Sequence, residues 1–425
     1  MHHFHRKNGA LCCEDVPLSA LAAQYGTPLY VYSARTLREC YRQFAASWSA
    51  LDPLICFAVK ANANLSVLRT LAKEGAGFDI VSGGELFRAL RAGARADRCV
   101  FAGVGKTDAE IEFALREGIF ALHAESWPEL EQINRLARRL QTIAPVAVRV
   151  NPNVDAGTHR KITTGTYENK FGIPFEDLPA FYDRAARLAG LRLRGVQMHI
   201  GSQITSARPF RAAVKKMLPL ALMLKARHGI EYFGLGGGLG IVYDPALESG
   251  SPAWWRRQKH PPLTPATYAA AVLPLLRPLG LPVVLEPGRG ICGNAGVLLA
   301  SVVNVKKTAR KNFVILDAAM NDLIRPAFYD AYHQIEPLTA RRGKLIRSDV
   351  VGPICESGDT FCQARPLPPL SAGDRVAFLS AGAYGFTMSS NYNSRPRAAE
   401  ILVDGQQVRV ARKRETLADL IRGEQ

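Results

Sequence analysis

The stretch "LICFAVKANANLSVLRTLAKEGAGFDIVSGGELFRALRAG" (54–93) holds two β/α units back to back. Two short apolar runs, "LICFAVK" (54–60) and "GFDIVS" (77–82), each precede a segment with apolar residues three and four apart that ends near glycine. A buried strand followed by an amphipathic helix has this pattern. Outward from it the pattern repeats. The further runs are "CVFAG" (99–103), "GIFALHAES" (118–126), "PVAVRVNP" (145–152), "LRGVQMHIG" (193–201), "YFGLGGGLG" (232–240) and "PVVLEPGR" (282–289). Eight strand–helix alternations in one stretch of chain predict a (β/α)8 barrel of the TIM type over residues 36–286. A doubly wound open sheet is the structural alternative. It would more often carry a glycine-rich turn after its first strand, where this chain has Lys60.

After residue 290 the texture changes to alternating runs, such as "FVILDAA", "DRVAFLSAGAYG" and "QQVRVARK", separated by turn residues. These predict a C-terminal antiparallel β domain. The early run "PLYVYS" (28–33) is expected to complete it, so residues 1–35 and 287–425 form one β-rich domain. Two long loops, 153–172 and 244–264, are expected to act as lids or interface arms.

Composition narrows the function. The chain has 425 residues, 48% of them hydrophobic and 21% charged, as in an ordinary soluble protein. No apolar run is long enough for a membrane helix, and the start lacks the apolar core of a signal peptide. The eight cysteines include no CxxC pair, which suits a reduced, cytoplasmic setting. The histidines His2, His3 and His5 are read as native and uninformative. The net charge of +17 would permit nucleic-acid binding, but the basic residues are scattered and the runs "RRQK" (256–259) and "ARKR" (411–414) are short. No nucleic-acid partner, membrane or metal is expected.

In a (β/α)8 barrel the carboxyl ends of the strands share one mouth. Here those ends read Lys60, Ser82, Gly103, Glu125, Arg149, His199, Gly236 to Gly238, and Glu286 with Arg289. Each is an ordinary strand terminus alone; together they favour an active site. Three consecutive glycines after strand seven let backbone amides approach an anion, and this fold often binds phosphate there. A lysine and an organic phosphate at one mouth suggest pyridoxal 5'-phosphate (PLP) held through Lys60 as a Schiff base. Glu286 then gains a role beside the pyridine nitrogen; its plainer reading is an ion pair with Arg289.

At this point the chain resembles the fold-type III PLP-dependent decarboxylases, and within them the diaminopimelate-decarboxylating branch. The motifs carrying the resemblance run almost end to end: "HFHRKNGALCCEDVPLSALAAQYGTPLYVYS", "FAVKAN", "GFDIVSGGEL", "VRVNPNVDAGTHRKITTG", "KFGI", "MHIGSQI", "LGGGLGI", "LEPGR", "RPAFYDAYH", "GPICESGD" and "GAYGFTMSSNYNSRPR". A single block such as GGG is weak, but the ordered set is specific. The resemblance implies a carbon–carbon carboxy-lyase that converts meso-2,6-diaminopimelate to L-lysine and CO2, the last step of lysine biosynthesis. It implies Lys60 as the Schiff-base lysine and His199 stacked on the cofactor ring. Ser202 and Gly236, Gly237 and Gly238 would hold the phosphate, with Glu286, Pro287, Gly288, Arg289 and Tyr384 completing the cofactor site. Asp79, Glu85 and Arg149 match supporting positions, or serve as ordinary barrel ion pairs. Arg289, Arg325, Tyr329, Glu356 and Tyr384 would bind substrate. Cys355 would return the proton to the α-carbon, unless it is a small buried filler.

Guanidinium groups suit the second carboxylate that separates diaminopimelate from lysine and ornithine. The resemblance also implies a homodimer with active sites shared between subunits. The alternatives are a related decarboxylase for carboxynorspermidine or for ornithine and arginine, or a non-catalytic PLP-binding relative.

Overall fold

The eight apolar runs are eight parallel strands in a computed structural model, which describes residues 1–155 and 170–425. The strands are Leu54–Ala58, Gly77–Ile80, Cys99–Phe101, Ala121–Ala124, Ala144–Asn151, Leu191–Met198, Tyr232–Gly236 and Val283–Leu285. Each pairs with the next, and the eighth pairs with the first through Val284 opposite Leu54 and Leu285 opposite Ile55. The sheet is therefore a closed barrel, and the open-sheet alternative is set aside. Most strand residues are buried because helices cover the outside and side chains fill the inside. Cys56, Val100, Ala121, Ala147, Tyr232 and Val284, from six strands, pack as one buried cluster.

The loops at the mouth end in helix caps, which makes each turn short and definite. Asn64 accepts from the Ser66 amide, Ser82 from Glu85, and Ser126 from Glu129. Thr107 and Glu110 form a reciprocal capping box. A polar residue after each of the first four strands thus serves the helix that follows.

By internal packing the chain divides into two units. The barrel unit comprises Glu39–Ile241 and Pro262–Gly290. The other comprises Met1–Arg38, Val242–Pro261 and Ile291–Gln425. It is built on a mostly antiparallel nine-stranded sheet. The early strand Leu29–Ser33 lies inside that sheet, antiparallel to Gly296–Lys307 and parallel to Ala399–Asp404. The N-terminal segment therefore does complete the β domain. Val242–Pro261 interrupts the barrel in sequence yet belongs to this β unit. It is no bare loop, since it contains the helix Pro252–Arg257, and Trp255 donates its indole N–H to the Ser249 carbonyl at 2.7 Å. The first long loop lies for the most part outside the described residues. Among the described residues no helix is long and apolar enough to cross a membrane.

Among the buried ion pairs of the barrel unit is Lys106 with Glu129. Lys106 Nζ donates to Glu129 Oε1 at 2.6 Å and to the carbonyls of Gly103 and His123 at 2.6 and 2.8 Å. All three ammonium protons are used, and the side chains are 1% and 7% exposed. Lys106→Met keeps the stem but leaves the Glu129 carboxylate buried without its cation. It should destabilise the protein by about 3–5 kcal/mol in denaturant unfolding.

Candidate active site

Lys60 lies in a tight helical turn, Val59–Ala61, that follows the first barrel strand. Its side chain is 38% exposed and forms an ion pair with the fully buried Asp79 of the second strand. Glu85, in the first turn of the next helix, accepts from the Val81 amide at 2.8 Å. Burial pushes the Glu85 pKa up to about 7, against the opposing pull of that hydrogen bond and of Lys60. Further round the rim, Glu125 accepts from Arg149 Nη1 at 3.1 Å and from the amides of Gly103 and Gly172 at 3.0 Å each. Arg149 also lies over the Phe171 ring, 4.7 Å from its centroid. Asp79, Glu85 and Arg149 are thus all tied to groups at the mouth.

His199 follows the sixth strand, and its Nδ1 accepts from the Gly237 amide at 3.1 Å. That bond leaves the proton on Nε2. Burial, together with the charges of Arg149 and Lys60, lowers the His199 pKa well below its usual value, so the ring is neutral. Gly236, Gly237 and Gly238 form the turn after strand seven. A Cβ there would lie 2.4 Å from the Met198 carbonyl oxygen, 2.3 Å from that of Glu286 and 2.5 Å from that of Gly201, respectively. Gly236 and Gly238 also have positive φ, +68° and +104°. Only glycine fits this cradle, so its backbone is bare toward the mouth.

Ser202 accepts from Arg289 Nη2 at 3.1 Å, which brings Arg289 to the cradle side of the mouth. The Glu286–Gly288 segment closes the ring beside Lys60. The Ala58 amide donates to the Pro287 carbonyl at 3.1 Å, and a Cβ on Gly288 would lie 2.9 Å from that of Ala61.

Glu286 is 5% exposed. Its Oε2 accepts from Gln197 Nε2 at 2.9 Å, and its Oε1 lies 3.5 Å from His123 Nδ1. Burial raises the Glu286 pKa above the usual carboxylate range, and the nearby Asp79 charge raises it further. A buried carboxylate that accepts one side-chain hydrogen bond, from Gln197, keeps lone pairs for a cationic N–H brought by a ligand. The donor set, an amine, a bare glycine cradle with a hydroxyl, and this carboxylate, fits PLP.

The remaining candidates belong to the β unit. Arg325 opens the short helix Arg325–Tyr329 and is 6% exposed. Its Nη1 donates to His333 Nε2 at 2.7 Å, and its guanidinium lies 4.9 Å from the centroid of the Tyr243 ring. Because arginine only donates, His333 carries its proton on Nδ1, which donates to the Leu379 carbonyl at 2.8 Å. Tyr329 ends the same helix, its ring edge-on to Phe328. Tyr384 takes φ +56°, a left-handed conformation costly for a tyrosine and frequent at functional sites. Cys355 is exposed, not a buried filler, with Sγ 3.7 Å from Asn393 Oδ1. The exposed Glu356 accepts from the Tyr392 hydroxyl at 2.9 Å.

Sequence reasoning missed His123, Gln197, Tyr243, His333 and Tyr392. His123 and Gln197 sit within barrel strands, where a polar residue inside an apolar run was the available signal.

Residues 35–293 match the family described as pyridoxal-dependent decarboxylase, pyridoxal binding domain. The diaminopimelate decarboxylase of Neisseria meningitidis serogroup B is 48% identical over 408 residues, 96% of this chain and 95% of the relative. Among solved structures, Helicobacter pylori diaminopimelate decarboxylase complexed with L-lysine is 39% identical with a TM-score of 0.88, covering 95% of this chain and 98% of that one. The diaminopimelate decarboxylase from m. jannaschi is 36% identical with a TM-score of 0.91, covering 99% of this chain and 97% of that one.

Proposed function

The chain belongs to the pyridoxal-dependent decarboxylase family, and from that membership we propose that it converts meso-2,6-diaminopimelate to L-lysine and CO2. PLP is the cofactor. Two features, each within its own unit, support the reading: an amine, a glycine cradle and a buried carboxylate at the barrel mouth, and the buried, held guanidinium of Arg325 in the β unit. The first suits PLP. The second suits a substrate with a carboxylate where ornithine has none.

When bound, the cofactor supplies an electron sink for the pair left at the α-carbon as CO2 departs. The chain's residues do the rest. Lys60 Nζ would hold the cofactor, with Asp79 as the fixed counter-charge of its ammonium form. Ser202 and the Gly236–Gly238 cradle would take the phosphate, with Arg289 donating to the Ser202 oxygen and leaving its hydroxyl proton to give. His199, accepting from the Gly237 amide, would meet the ring as a neutral imidazole. Glu286 would serve the ring nitrogen. Arg325 with Tyr329 and Arg289 would receive the distal carboxylate, Glu356 the distal amine, and Tyr384 would serve both cofactor and substrate. Cys355 would give a proton to the α-carbon.

Cys355 and Glu356 are exposed in one subunit, which supports a site completed by a second copy in a homodimer. None of the eight cysteines is in a disulfide, which supports a cytoplasmic location. The test is turnover of meso-diaminopimelate, L-lysine, L-ornithine and L-arginine in parallel, with and without added PLP. The expected result is equimolar CO2 and L-lysine from the first and negligible CO2 from the others. Comparable release from ornithine would overturn the substrate assignment.

A further inference from the structure

Beneath Glu286 lies a set of buried polar side chains that the reaction as described above does not use. His123 projects from the fourth strand and is fully buried. Its Nε2 lies 3.0 Å from the Tyr232 hydroxyl, and its Nδ1 lies 3.5 Å from Glu286 Oε1. Neither His123 Nδ1 nor Glu286 Oε1 has a hydrogen-bond partner among the described residues. Two buried polar atoms facing each other at this distance need only a small movement to pair, and leaving both unpaired is costly.

We propose that His123 and Tyr232 are positioning residues for the cofactor's ring nitrogen: Tyr232 donates to His123 Nε2, His123 Nδ1–H donates to Glu286 Oε1, and Gln197 holds the other carboxylate oxygen. The inference rests on the PLP reading and on Glu286 facing that nitrogen. The relay fixes the carboxylate's orientation from below and keeps its upper edge for the cofactor. Tyrosine and neutral histidine suit this task. Burial and the charges of Lys106, Arg149 and Lys60 push the His123 pKa down to about 3, so the relay brings no competing cation. Burial and the Glu286 charge raise the Tyr232 pKa well above its usual value, so the phenol keeps its proton. With Tyr232 donating to Nε2, the one imidazole proton resides on Nδ1 and faces Glu286.

The surrounding backbone makes room for these groups. A Cβ on Gly195 would lie 2.7 Å from the Tyr232 ring, and one on Gly234 would lie 2.6 Å from Gln197 Cγ. The small residues Ala121 and Ala147 pack in the same cluster as Tyr232.

The experiment compares dissociation constants of PLP and of its analogue with CH in place of the ring nitrogen, measured by fluorescence on dialysed protein. His123→Leu should weaken PLP about 10-fold while leaving the analogue within about twofold, because only PLP meets the carboxylate through a ring nitrogen. His123→Asn, whose amide overlays Nδ1, should restore most of the difference, and Tyr232→Phe should give a smaller loss of the same sign. Equal weakening of both ligands, or of neither, would overturn the relay. If His123→Leu does not fold, the Asn and Phe variants decide by the same comparison. If the unmodified protein binds neither ligand, the cofactor reading itself fails, a result distinct from failure of the relay.

Discussion

Lys60→Ala is expected to lower CO2 release from meso-diaminopimelate by on the order of 10⁴-fold, the upper end of what a reactive amine or acid–base group contributes. The side chain is 38% exposed, so its own packing matters little. The complication is Asp79, whose side chain is fully buried and would lose its counter-charge. Lys60→Arg separates the two effects. A guanidinium keeps the ion pair with Asp79 but cannot give up a proton to act as a nucleophile. The arginine variant should therefore melt close to the parent and be as inactive as the alanine variant. Activity in the arginine variant above about a hundredth of the parent's, measured as CO2 release, would place the reactive amine elsewhere.

Arg325→Ala should raise KM for diaminopimelate by about 10²-fold, corresponding to the ~3 kcal/mol lost when one partner of a desolvated charge pair is truncated. The guanidinium is already oriented by His333 and Tyr243. Its loss removes a preorganised donor pair and not a flexible surface charge. The discriminating measurement is the PLP dissociation constant beside KM. PLP binding should change little. Equal loss of both would make Arg325 a structural residue, with His333 left buried and without its donor.

Much of the architecture was legible because barrel strands are buried on both faces and read as continuous apolar runs, while the helices between them are striped. The strand ends at Lys60, His199 and Glu286 could be listed without coordinates for the same reason. What lay hidden depends on distance in space. His123 in "ALHA" and Gln197 in "VQM" look like polar interruptions of a core strand, and only barrel closure brings both to Glu286. Lys106 and Glu129, 23 positions apart, meet only because the fold buries them together. His2, which sequence alone leaves uninformative, is packed into the β unit with Nε2 2.8 Å from the Ala246 carbonyl oxygen, and burial lowers its pKa to about 4. That contact joins residues 244 positions apart, and no local pattern announces it. The glycine triplet was read for its amides; in the structure one of them, Gly237, is already committed to His199.

The central claim is that Lys60 carries the cofactor. Borohydride reduction of the PLP-loaded protein fixes the cofactor covalently to the amine that holds it, and digestion followed by mass spectrometry locates the modified peptide. The loaded protein should be yellow and bleach on reduction, with a single cofactor adduct on the peptide containing Lys60. An adduct on a different lysine, or no adduct on a protein that still releases CO2, would contradict it.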